Sequence, residues 1–158
     1  QRDYGWYGKG FYFGSAKQKD YKLYGLWVGM LTGVWKYTQI VKSELARAHY
    51  YVDIAHRSSL LYAPATLILA VLAYFSYWTE ITNLICIIVN LVFFSFSILS
   101  YVVHGILRDT NNQFKTPHQL GKMTLPKWIM RSAMILLVIG ELGATTTLLI
   151  GVIVNFWF

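Results

Sequence analysis

Residues 81–107 read ITNLICIIVNLVFFSFSILSYVVHGIL and contain no charged side chain. The run exceeds the roughly 20 residues a helix needs to cross a hydrocarbon core about 30 Å thick. Only a helix satisfies its own backbone there without a closed barrel. Two more stretches match it in length and apolar character: 59–78, SLLYAPATLILAVLAYFSYW, and 128–158, the latter with Arg131 and Glu141 its only charged residues. Together they predict an all-α, polytopic transmembrane helical bundle with three clear spans. The whole chain agrees with this. Hydrophobic residues make up 56% and charged residues 13%, against about 45–50% and about 25% in soluble domains. Both departures name lipid as the solvent.

A fourth span is expected near the N-terminus. Residues 21–41 are apolar from Leu23 to Trp35 and carry Gly25, Gly29 and Gly33 at four-residue spacing. Such a strip presents a smooth face on which another helix can pack closely in lipid. Around it, 1–20 reads as a polar and aromatic tail. The stretch 42–57 reads as an amphipathic helix along the inner surface that feeds the next span. Pro64 is placed in the first turns of its helix, and Pro126 marks a helix start. No apolar run of signal-peptide type opens the chain, so a cleavable signal peptide is not expected.

The net charge is +7. The basic residues fall mostly between apolar segments, so membrane topology accounts for them and nucleic acid is not an expected partner. Lys42, Arg47 and Arg57 precede the first clear span. Arg108, Lys115, Lys122, Lys127 and Arg131 lie around the segment between the second and third. Both groups therefore belong on the cytoplasmic or matrix side. If 21–41 spans, the basic tail (Arg2, Lys9, Lys17, Lys19, Lys22) lies outside. The aromatic residues, 17% of the chain, suit the belts where membrane meets water. The lone Cys86 lies mid-span among isoleucines and reads as packing.

Three constellations could carry chemistry. His49, Asp53 and His56 fall within about 60° on a helix and form a candidate metal face. Asn83, Asn90, Ser97 and His104 recur every seven residues, which keeps them on one face with about 20° of drift per step. For the amides and the serine this predicts a hydrogen-bonded seam. His104 is expected to meet His56, because antiparallel neighbours joined by a short turn put the two at similar depth. With Arg57, Ser59, Tyr101, Arg108 and Asp109 they would form an inner-leaflet pocket. Such a pocket suits a ligand with polar carbonyls, such as ubiquinone, or haem b with a histidine ligand. The third feature is Glu141 within the last span. An intramembrane carboxyl is a functional candidate by default, and pairing with Lys36 is one expectation. No nucleotide-binding loop, cysteine-rich metal motif or HExxH is present.

Two short motifs resemble a family. DIAHRSS (53–59) and YVVHGILRD (101–109) are similar to motifs in the membrane-anchor cytochrome b subunits of succinate dehydrogenase. These carry S-x-x-H-R-x-T-G at the start of the first span and H-x3-G-I-R-H-L-x2-D at the end of the second. Asp53 stands where the family has Ser, Tyr101 where it has His, and the R-H-L trio is replaced. The resemblance implies a three-helix anchor, with Arg57 and Ser59 as quinone-site residues and His104 as a haem ligand. It also implies partner membrane subunits and soluble redox subunits, in a mitochondrial inner membrane or bacterial plasma membrane. The expected function is thus a non-catalytic subunit of a respiratory-chain electron-transport complex. The alternatives are a purely structural subunit of a large membrane assembly and a stand-alone metal- or haem-dependent membrane enzyme.

Overall fold

The computed structural model describes the backbone of residues 7–157 and the side chains of residues 24–157. Four helices make up most of the chain: α1 (Tyr7–Val41), α2 (Tyr50–Phe75), α3 (Glu80–Leu107) and α4 (Lys127–Trp157). Between α3 and α4 lies a two-stranded antiparallel hairpin, β1 (His118–Leu120) and β2 (Met123–Leu125). Three helices, α2, α3 and α4, are long and apolar enough to cross a membrane. The side chains expected in the tail, 1–20, lie outside those described, as does Phe158, the expected end of the last span.

The boundaries correct the sequence reading at three places. α1 begins at Tyr7, inside the stretch expected to be a tail, and runs on through 21–41. No single helix covers 42–57. α1 stops at Val41, Ala46 takes a left-handed turn at φ 52°, and α2 begins at Tyr50. The backbone N–H of His49, just ahead of α2, donates to Gln39 Oε1 at 2.9 Å, which fixes the reversal. Asp53 and His56 therefore belong to the first turns of a membrane helix. Pro64 consequently sits in the helix interior rather than near its start. There it removes the bond to the Leu60 carbonyl, a defect that a neighbouring helix in a membrane tolerates. Pro126 does stand immediately before α4.

α2 is the hub, packed against α1, α3 and α4. Gly25, Gly29 and Gly33 form the seam with α2, facing Ala63, Leu60 and His56 in turn. The descending order on α2 makes the pair antiparallel. The glycine strip is therefore filled within the chain. Leu69, Cys86, Ala144 and Leu148 make the core where α2, α3 and α4 meet. The heptad stripe of α3 turns inward: Asn90, Ser97 and His104 are buried. Asn90 accepts from Thr145 Oγ1 at 3.1 Å and donates to the Cys86 carbonyl at 2.9 Å. Tyr62 of α2 stacks on Phe94 of α3 with ring centroids 4.3 Å apart. Outward faces carry Leu67, Ile68, Ile85, Ile88, Val92, Ile139 and Leu142, all exposed, as lipid contact requires.

The turn between α2 and α3 is pinned to α4. Trp78 Nε1 donates to the Thr147 carbonyl at 2.8 Å, and the Tyr77 N–H to the Gly151 carbonyl at 2.9 Å. A Cβ at Gly151 would strike Ser76 Oγ and come within 2.5 Å of Trp78 Cδ1. A Cβ at Gly143 would meet nothing within 4 Å. Gly151→Ala is expected to destabilise by about 1–3 kcal/mol through overpacking. Gly143→Ala should be neutral, or stabilising by up to about 1 kcal/mol through helix propensity. Thermal unfolding followed by circular dichroism in detergent checks both.

Candidate interfacial site

The polar side chains gather at the end of the bundle where α3 hands over to the loop. Arg108 closes α3 in a left-handed conformation, φ 51° and ψ 33°, with its N–H on the His104 carbonyl. That reversal turns Asp109 back onto the helix it has just left. Its Oδ1 accepts from His104 Nδ1 at 2.8 Å, and its Oδ2 accepts from the Gly121 N–H at 2.6 Å. Gly121 sits in the hairpin turn at φ 60°, where a residue with a Cβ would be strained. One carboxylate thus ties the histidine of α3 to the hairpin. Both side chains are nearly out of reach of solvent, at 5% and 4% exposure.

Tyr51 lies over this pair. Its ring is 5.1 Å from His104 and is stacked 6.1 Å from Tyr101. Its hydroxyl accepts from the Gln113 N–H at 2.6 Å, while the Gln113 carbonyl accepts from buried His118 at 3.0 Å. Ser100 Oγ donates to Gln113 Oε1 at 3.1 Å. A cavity of about 260 Å³ opens beside them. Tyr50, Tyr51 and Ile54 of α2, Tyr101 of α3, and Asn111, Asn112, Gln113 and Phe114 of the loop enclose it. Its walls are aromatic and its loop side carries three amides.

Of the residues expected in the pocket, Tyr101, His104, Arg108 and Asp109 come to this end of the bundle, with Arg108 exposed. His56 does not meet His104. The α2 residue facing His104 is Tyr51, and five residues further on His56 points about 140° away. There it turns to α1 and donates from Nδ1 to the Gly29 carbonyl at 2.9 Å. Ser59 is fully buried with its hydroxyl on the Ala55 carbonyl at 2.7 Å. Arg57 is largely exposed and pairs with Asp53 at 2.8 Å. Asp53 also holds Lys36 at 2.5 Å, so Lys36 is engaged with Asp53 rather than with Glu141. The metal face of His49, Asp53 and His56 does not form either. Asp53 is spent on two cations, His56 on a carbonyl, and no three ligand-type side chains converge among the described residues.

Tyr51, Gln113 and His118 were not singled out from the sequence. Their roles come from a loop folding back over distant residues, and no local spacing announces such a fold. The adjacent tyrosines at 50 and 51, just ahead of an apolar span, were the one available signal. No family model, curated protein or solved structure matches the chain. The class the fold defines is a helical bundle with three helices long and apolar enough to cross a membrane.

Two groups outside the spans carry shifted acidities. Burial alone would raise the Asp109 carboxyl, but the Gly121 N–H and the His104 ring outweigh it and hold the group below its usual value. Burial, helped by the Arg108 charge, lowers His49, against the pull of Asp109. Both shifts act in one direction. A depressed carboxyl gives stability that is fully present above the unfolded value, about 3.9, and lost as pH falls from there through the lower, folded value. A depressed histidine takes up its proton less readily when folded, so stability falls as pH drops below about 6.5, where the unfolded chain takes it up. The melting temperature should therefore fall in two steps on acidification. Asp109→Asn should shrink the lower step, to which Asp53 in its ion pairs with Lys36 and Arg57 also contributes, and His49→Gln should remove the upper one, in melting curves from pH 8 to 3.

Proposed function

We propose that the chain is an integral membrane subunit of a respiratory-type complex that holds a quinone head group in the interfacial cavity. The observation that carries this is the pairing of aromatic walls with loop amides beside an apolar helix surface. Tyr51, Tyr101 and Phe114 offer aromatic surface to a planar ring, and the amides of Asn111, Asn112 and Gln113 supply donors for its carbonyl oxygens. Gln113 Oε1 is occupied by Ser100, which leaves its side-chain NH2 for a ligand. Ligand sites are typically of this kind, mostly apolar with a few convergent polar groups. The motif likeness at 53–59 and 101–109 to anchor subunits of succinate dehydrogenase is in keeping with it. In this reading α1 makes a fourth crossing, antiparallel to α2. The basic end faces the cytoplasm or matrix, and soluble redox subunits dock there. The membrane would be bacterial plasma or mitochondrial inner membrane.

Haem is the weaker reading. His104 would ligate through Nε2, since its Nδ1 is on Asp109 as a ligating histidine's usually is on a carboxylate; against haem stand the Tyr51 ring 5.1 Å away and an exposure of only 4%. A purely structural role loses one of its supports, because the glycine strip faces α2 of the same chain.

The full chain in nanodiscs, titrated with decylubiquinone and followed by quenching of intrinsic fluorescence, tests the proposal. Saturable binding in the micromolar range is expected. Gln113→Ala should weaken it about tenfold, the cost of roughly one hydrogen bond, and Tyr101→Ala at least as much. Absence of saturable binding rejects the quinone site. A reduced b-type haem band in the native protein that disappears in His104→Ala would replace it with the haem reading.

A further inference from the structure

The end of the bundle that carries the cavity is also basic, and its two sides differ in how that charge is answered. On the α1–α2 side, Asp53 holds both Lys36 and Arg57, and Glu44 stands between Lys42 and Arg47 in the connecting turn. On the α3–α4 side, Arg108, Lys115, Lys122, Lys127 and Arg131 are all exposed. None of them has an ion-pair partner among the described residues. Asp109, the one acidic residue between Arg108 and Arg131, is turned inward onto His104 and Gly121. α4 has no acidic residue in its first turn, so the positive end of its dipole adds to the same field.

The hairpin carries part of this charge to the lipid boundary. A Cβ at Gly121 would lie 3.6 Å from Leu107 Cδ1, so the hairpin turn sits against the last residue of α3. Ile106 and Leu107 are exposed there, at the end of an apolar helix. Lys122 and Met123 follow Gly121, and Met123 is 70% exposed. α4 then opens with Lys127 and Trp128, the tryptophan 68% exposed. Arg131 lies one turn beyond Lys127 on the same side of α4. An exposed apolar side chain thus stands next to a cation at Leu107–Arg108, at Lys122–Met123 and at Lys127–Trp128. Tryptophan belongs at the level of the headgroups, and long basic side chains lay their stems on apolar surface while the charge reaches outward.

We propose that the rim formed by the hairpin turn and the first turn of α4 is a docking surface for anionic phospholipid. Lys122, Lys127 and Arg131 meet the headgroup phosphate, and Met123 and Trp128 meet the start of the acyl chains. Charge complementarity selects the lipid. A zwitterionic headgroup brings its own cation, whereas an anionic one supplies the counter-charge that this side of the bundle lacks. The α1–α2 side, already served by Asp53, has less to gain.

Titration of the full chain in detergent with pyrene-acyl phosphatidylglycerol or phosphatidylcholine, followed by energy transfer from tryptophan, tests this. Phosphatidylglycerol should bind about tenfold more tightly or better. Lys122→Gln, Lys127→Gln and Arg131→Gln should each weaken it about fivefold and leave phosphatidylcholine unchanged. Arg57→Gln should alter the preference less than about twofold, because Asp53 already answers that cation. The preference should shrink between about 0.05 M and about 0.5 M salt. Equal binding of the two lipids, or a preference that survives in the three variants combined, overturns the proposal and leaves the rim to an acidic protein partner. Displacement of the lipid by millimolar inorganic phosphate overturns it in favour of a free-phosphate site. The proposal goes beyond the quinone reading and does not depend on it, since decylubiquinone binding and lipid preference are read separately.

Discussion

Helices in lipid gain little by hiding apolar side chains from one another, because the hydrocarbon around them is as apolar as they are. Contact must come from surfaces that fit closely and from polar groups that have no better partner. The chain follows this constraint throughout. Glycines let α1 lie on α2 at Ala63, Leu60 and His56. An amide–hydroxyl bond, Asn90 to Thr145, joins α3 to α4. Leucines and isoleucines, which would fill the core of a soluble bundle, instead cover the outside. The buried core is small for the same reason, and many buried positions hold Thr, Ser, Asn or His.

The interfacial end is built by a different device. A loop at a membrane surface has no apolar core to fold onto, so it needs ionic or hydrogen-bonded anchors. Asp109 provides one by reaching His104 behind it and Gly121 ahead of it. Gln113 provides another through Tyr51 and His118. Asn111 to Phe114, beside these anchors, line the cavity together with Tyr51 and Tyr101.

The spans were legible because their signal is local. An uncharged run such as 81–107 needs no knowledge of neighbours, and the seven-residue stripe of α3 pointed inward as its spacing implied. The glycine strip was legible for the same reason. What escaped depended on distant residues or on competition between partners. Lys36 and Arg57 both claim Asp53, which took it out of any metal set. His56 and His104 do share a depth class in the topology, but the helical phase between Tyr51 and His56 sends them to different neighbours. The break after Val41 escaped because neither Gly nor Pro marks it. Gln39 and a left-handed Ala46 make the turn instead. The hairpin at 118–125 is too short for any periodicity to show.

The order in which the helices touch bears on how such a chain is made. α1 meets α2, α2 meets α3, and α3 meets α4, and the one further major contact, α2 with α4, skips a single helix. Each segment can therefore dock on one that has already been synthesised. α2 would be in the bilayer with a partner before α4 exists, with Leu60 already against Gly29 of α1. The last helix then closes the bundle by receiving the Trp78 turn and the Asn90 amide together. Chains assembled in sequence order expose unpaired polar groups only briefly. That matters most for one that buries as many amides and hydroxyls in its helix contacts as this one does.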